Sequence, residues 1–156
     1  VYEGGTRTPF ITYWKGRIKS SVSDEMVCTI DLAGSLAALT GQVLPQDACV
    51  DSFNVLKALM GQKGAKGRDH LVQQNNGNNG TYALRDGDWK LHRYDRKTAR
   101  NVVVEQQLAN VKVPPYMLFN LAKDPTESRN VIADHPEIAS RLKQQLTEII
   151  ESGRSR

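Results

Sequence analysis

The chain has 156 residues, of which 39% are hydrophobic, and 21 Lys+Arg against 17 Asp+Glu leave it at +4. That length suits one core, or one domain and a part of another. The basic residues are dispersed rather than gathered in an arm for nucleic acid, no apolar run approaches the roughly 18 residues of a membrane span, and the first residues lack the order of a secretory signal.

In chain order, Glu3-Gly4-Gly5 predicts a turn that needs backbone freedom, with Glu3 and Arg7 beside it either as a functional pair or as a local salt bridge. Pro9 to Trp14 is rich in aromatic and β-branched residues and predicts a strand buried on both faces, ended by Lys15-Gly16. "DLAGSLAALT" predicts a helix from Asp31 to Thr40, with Leu32, Leu36 and Leu39 as its apolar face and Gly41 as its stop. A second short helix is expected in "SFNVLKALMG", capped by Ser52 and ended by Gly61.

"GQKGAKGRDH" combines three glycines with four basic residues and reads as a solvated linker. Beyond it the pattern changes to short strands. Leu71 to Gln74 and Tyr82 to Arg85 flank the Asn-Gly loop from Asn75 to Gly80, and a further strand follows the Asp86-Gly87 turn. In that strand Trp89, Leu91 and Arg93 alternate with Lys90, His92 and Tyr94. A helix is expected around Val104 to Asn110, then a strand from Tyr116 to Leu121 ended by an Asp-Pro turn. Asp134 and Glu137 form a capping-box pattern ahead of an amphipathic helix with Ile138, Leu142, Leu146, Ile149 and Ile150 as its stripe.

No metal set or nucleophile pattern emerges. His70, His92 and His135 are scattered, Trp14 and Trp89 read as core residues, and Cys28 and Cys49 are either two buried thiols or a disulfide.

The order of motifs carries more than any one of them. "YEGGTRTPFITYWKGRI", "TIDLAGSLAALTG", "DSFNVLKALMG", "YALRDGDWKL" and "LFNLAKDPTESRNV", followed by the closing helix, resemble the C-terminal part of the formylglycine-dependent sulfatases, those of the arylsulfatase A type in particular. Lys15, where that family often has Pro, and Asp51-Ser52, which lacks a common glycine, are small departures.

The resemblance implies an α+β architecture: an antiparallel sheet of about four strands packed on a C-terminal helix, preceded by the last strand and helices of an alkaline-phosphatase-like α/β domain. Residues 1–61 would be the tail of that large domain, 62–70 the linker and 71–156 the C-terminal subdomain. It also implies a parent that hydrolyses sulfate esters with calcium and a formylglycine, made from a cysteine or serine in a CxPxR pattern. Neither Cys28 nor Cys49 stands in that pattern, so no catalytic or metal residue and no cofactor is expected within the chain, and none of its own turnover.

Glu3, Arg7, His70, Asn75 and Asn76 are the candidates for a substrate-pocket wall. The implied partners are the upstream large domain and a sulfated small molecule or carbohydrate, with neither nucleic acid nor membrane. Self-association through the Pro9 to Trp14 strand and a periplasmic or secreted parent are further expectations. The alternatives are a phosphonate or phosphate ester hydrolase of the same superfamily, or a stand-alone carbohydrate-binding or interaction module.

Overall fold

The structure is a computed structural model that describes residues 1–75, 80–94 and 114–156. The helix expected at Val104 to Asn110 and the candidate Asn76 lie outside the described residues. The chain forms two compact units. The first comprises Val1–Thr8 and Val72–Glu148, the second Pro9–Leu71 and Ile149–Arg156.

The first unit is built on an antiparallel sheet of strands β1 (His70–Gln74, of which Val72–Gln74 belong to this unit), β2 (Tyr82–Asp86), β3 (Trp89–Arg93) and β4 (Tyr116–Asn120), paired in sequence order. The turn at Gly87, with φ of 56°, sets β2 against β3 so that Leu84 faces Leu91, and β3 against β4 so that Leu91 faces Leu118. These three leucines form one row on one face and are fully buried. The closing helix, Pro136–Ser152, covers that face with Ala139, Leu142 and Leu146. Arg141 reaches Asp86 at 2.6 Å and Lys143 lies over the Tyr116 ring.

The other face carries Ala83, Lys90, His92 and Phe119, and it too is buried. Its cover is the first turn of the chain, where helix α1 (Glu3–Thr6) follows Tyr2. Tyr2 meets His92 edge-on at 4.6 Å between ring centroids. The turn expected at Glu3-Gly4-Gly5 is therefore a short helix. Neither glycine has a positive φ, since i to i+4 bonding from Arg7 N to Glu3 O needs none.

The second unit contains helices α2 (Asp31–Leu39) and α3 (Leu56–Leu59), and Pro136–Ser152 is α4 in chain order. Gly41 and Gly61 end α2 and α3 in the left-handed region, as their positions predict. The buried face of α2 is not the leucine face. Asp31, Gly34 and Ser35 are buried, while Leu32, Leu36 and Leu39 are 37%, 53% and 40% exposed. Polar bonding explains the orientation. Gly34 N donates to Ser52 Oγ at 2.8 Å, Val55 N to Ser35 Oγ at 3.0 Å, and Phe53 N to Asp31 Oδ1 at 2.9 Å.

Ser52 thus serves α2, and the start of α3 is met by Asn54 Oδ1, which accepts from Leu56 N. Asp134 also does not cap. It receives Arg129 at 3.4 Å, and α4 starts one position after His135 with Pro136 at N1, where a missing N–H is harmless.

The strand expected at Pro9 to Trp14 is not formed. The segment is irregular and exposed, with Ile11 at 87% and Tyr13 at 82%, and Trp14 is not a core residue. A strand is held by the ladder of a neighbour, and among the described residues none pairs with this one. Cys28 and Cys49 are both free. Cys28 is half-buried and Cys49 exposed, so neither open reading of the pair holds in full.

Candidate functional site

The densest group of ionisable side chains lies on the sheet face beneath α1. Alternation along β3 sends Lys90 and His92 to the same side, and both are buried. Above them, Lys90 Nζ donates to Glu3 Oε1 at 2.8 Å and lies 3.3 Å from Glu127 Oε1. His92 Nε2 meets the same Glu127 oxygen at 2.8 Å, and Arg85 approaches Glu3 Oε2 at 3.4 Å.

Glu127 reaches this position through the loop after β4. Asp124 accepts from the Thr126 and Ser128 hydroxyls and from Arg129 N, which closes the turn, and Glu127 sits inside it at φ 54°. The backbone bonds from Arg129 and Ser128 hold the Asp124 carboxyl at about 2. Glu127 Oε2 also accepts the backbone N–H of Glu3, so one carboxylate bonds the first helix and β3 together.

Two carboxylates stand against the buried Lys90 and the partly exposed Arg85, which balances the charge of the cluster. Burial, aided by the Lys90 charge and opposed by Glu127, pushes the His92 imidazole down to about 4. At neutral pH it is the uncharged ring that bonds Glu127. A buried, neutral histidine whose proton faces a neighbouring carboxylate has no access to a substrate. The cluster is a structural tie between Val1–Thr8 and the sheet.

Where the tie meets solvent there is a cavity of about 80 Å³, lined by Glu3, Arg7, Arg85 and Asp88 with Leu121 and Pro125. Glu3 and Arg7, singled out from sequence, therefore share one cavity without pairing, because Glu3 is taken by Lys90 and Arg85. Asn75 closes the hairpin between β1 and β2 by donating its N–H to Thr81 O. His70 belongs to the second unit, where it contacts Asp69 at 2.7 Å and the Phe53 ring edge-on.

Sequence reasoning missed Lys90, His92 and Glu127. A Lys and a His on the polar alternate of a strand look solvent-facing, and a Glu in a turn looks ordinary. It also missed Arg68, in the glycine-rich stretch, which is 5% exposed, pairs with Asp31 at 2.7 Å and lies over Phe53.

The residues present do not fit a calcium site or a formylglycine. Among the described residues no three His, Cys, Asp or Glu side chains converge as a metal set, and both cysteines lack the Pro and Arg of the modification pattern. No described helix is long and apolar enough to cross a membrane.

Residues 1–152 match the family described as N-sulphoglucosamine sulphohydrolase, C-terminal. The chain is 37% identical, over its whole length and 29% of the relative's, to the N-acetylgalactosamine-6-O-sulfatase of Bacteroides thetaiotaomicron. Human arylsulfatase A is 30% identical over 92% of the chain and 30% of its own length. A solved structure from the Bacteroides thetaiotaomicron core genetic locus for metabolism of multiple glycosaminoglycans superposes with a TM-score of 0.78 at 36% identity, covering 99% of this chain and 30% of that one. A second structure from the same locus, at 18% identity and a TM-score of 0.53, covers 90% and 32% and shares the fold. The chain thus spans about 30% of the length of the curated relatives it matches. With its sheet, closing helix and residues 1–152 all in agreement, the chain belongs to the C-terminal family of the sulfatases.

Proposed function

We propose that this chain is the supporting C-terminal part of an enzyme that hydrolyses sulfate esters on a carbohydrate. The observation that carries this reading is the 37% identity to a sugar sulfatase across every part of the chain. In it, residues 1–61 close a large α/β domain, 62–70 link, and 71–156 form the C-terminal subdomain. The nucleophile and the calcium belong to the large domain, and the whole enzyme is secreted or periplasmic.

What this chain supplies is position. The Glu3–Lys90–Glu127 tie fixes the segment that carries Arg7, whose guanidinium stands exposed at the cavity beside Arg85. Arg7 and the loop bearing Asn75 and Asn76 are the first unit's groups for a sulfated sugar, and His70 is the second unit's. The exposed Phe10, Ile11, Tyr13 and Trp14 are covered by the companion domain, and copies of the chain associate through them when it is absent.

The test compares the chain with the complete enzyme that contains it, using 4-nitrophenyl sulfate and N-acetylgalactosamine 6-sulfate. Turnover by the complete enzyme and none by the chain is expected. Turnover by the chain alone would overturn the supporting role, and an inert complete enzyme would overturn the sulfatase reading.

A further inference from the structure

A second concave surface belongs to the other unit. It is an open cleft of about 380 Å³ lined by Leu44, Gln46, Arg154 and Arg156. Two of its four lining residues are arginines and none has an acidic side chain, so the lining side chains offer positive charge with no side-chain carboxylate among them. The lining also has an apolar side chain, Leu44, against which a sugar ring can rest.

Both guanidiniums are held in place. Arg154 Nη2 donates to the carbonyl of Gln46 at 2.8 Å, and Arg156 Nη2 to that of Ala48 at 3.0 Å. Each bond uses part of one five-donor fork and leaves the other donors available. Between them Ser155 is pinned. Its N–H and its hydroxyl both donate to Asp51 Oδ1, at 2.7 and 2.9 Å, while His70 Nε2 lies 3.1 Å from its carbonyl oxygen. Arg68, itself locked by Asp31, adds a contact of 3.4 Å to the Ser155 hydroxyl.

An Arg-Ser-Arg stretch after a helix would ordinarily be solvated. Here the middle residue is anchored and the two flanking arginines are aimed by backbone carbonyls, so the ordering cost of binding an anion has been met in advance. The neutral acceptors matter as well. An arginine paired to a carboxylate has its charge cancelled, whereas one anchored to a carbonyl keeps it.

We infer that the Arg154–Arg156 cleft binds the sulfate or carboxylate group of an anionic saccharide, as a second contact on a multiply charged glycan chain. Naming a glycan rests on the sulfatase reading, while the oxyanion chemistry rests on the two guanidiniums alone. Paired guanidiniums match sulfate and carboxylate oxygens in a bidentate way, and a cleft of this size holds one charged sugar unit.

The test is equilibrium binding to the chain itself, so it needs no turnover and is independent of the sulfatase assay. Chondroitin sulfate oligosaccharide is titrated at low salt, alongside its desulfated counterpart with reduced carboxyls and inorganic sulfate as competitor. The sulfated oligosaccharide is expected to bind, the neutral one to bind at least about tenfold more weakly, and salt to weaken the complex. The double variant Arg154→Ala, Arg156→Ala should lose about tenfold or more, as charge-assisted contacts do. Leu44→Glu, which leaves both arginine–carbonyl bonds intact and adds a carboxylate to the cleft, should lose as much and covers the case of a tail that unpins in the double variant. Equal binding of the neutral oligosaccharide, no binding by the unaltered chain, or unchanged affinity in both variants would each overturn the assignment and leave the sulfatase reading untouched.

Discussion

Glu3 and Lys90 stand 87 positions apart in sequence and 2.8 Å apart in space, inside a region where the lysine side chain is wholly buried. A lysine so placed is tolerable only while its carboxylates remain. Replacing Lys90 by Met removes one charge and leaves Glu3 and Glu127 facing each other. Lys90→Met is therefore expected to destabilise the chain by about 3 to 5 kcal/mol in urea titration, the usual penalty for breaking a buried pair from one side. A variant within about 1 kcal/mol of the parent sequence would mean that the tie is solvated in practice.

The same cluster gives the chain an acid-side dependence. His92 binds its proton at about 4 when folded against about 6.5 when unfolded, so between those values the unfolded chain holds more protons. Stability from this group is complete above the unfolded value and is lost as the pH falls from about 6.5 through about 4. The loss amounts to about 3 kcal/mol at 1.36 kcal/mol per unit. Urea midpoints measured from pH 7 to pH 4 should fall accordingly. His92→Gln, which keeps a donor for Glu127, should flatten that part of the profile, and an unchanged slope would place the titrating group elsewhere.

Leu142 is fully buried on the helix face that meets the leucine row of the sheet. Leu142→Ala should cost about 2 to 5 kcal/mol, the range for a large-to-small core change. Thermal and denaturant melts that do not move would contradict the packing of α4.

Gly67 is bound by geometry rather than by φ. A Cβ there would overlap the carbonyl oxygen of Met26, which also accepts the N–H of Arg68 at 2.7 Å. Gly67→Ala is expected to destabilise by about 1 to 3 kcal/mol through forced backbone movement, while Gly64→Ala, with open space around its Cβ, should be strained only by its φ of 75°. Equal losses in the two variants would argue against a close approach at Gly67.

Ile11 and Tyr13 expose most of their surface beside the half-exposed Phe10 and Trp14. Sedimentation of the chain over a concentration series should show self-association that Ile11→Ser with Tyr13→Ser suppresses. A monomer at every concentration would remove the reading of this segment as a covered surface.

The sheet, the closing helix and the ends of α2 were legible because they rest on local signals: alternation, a 3.6-residue stripe and glycines at positive φ. The face that α2 buries was not. Its leucine spacing is amphipathic by count, but Asp31 and Ser35 find partners at Arg68 and Val55, and those partners are known only after folding. Lys90 and His92 were hidden for a related reason. Alternation says which side of the strand they share, and it does not say that Val1–Thr8 returns to cover that side. The strand read at Pro9 to Trp14 had the right composition but has no pairing partner among the described residues. Of the pocket candidates, the proximity of Glu3 to Arg7 was legible, while the engagement of Glu3 by β3 was not.

The two units are interleaved along the chain, since Val1–Thr8 completes the first and Ile149–Arg156 the second. A protease cut in the exposed stretch around Ile11 would therefore not release a domain. It would turn the stretch before the cut into a peptide ligand, held on the sheet through Glu3 and Tyr2 among other contacts, and replace a covalent tether by an ordinary binding equilibrium. Nicked protein should consequently keep its fold when concentrated and lose the peptide on dilution. A synthetic peptide of the same stretch should restore it, which makes the first turn of this chain a complementing fragment.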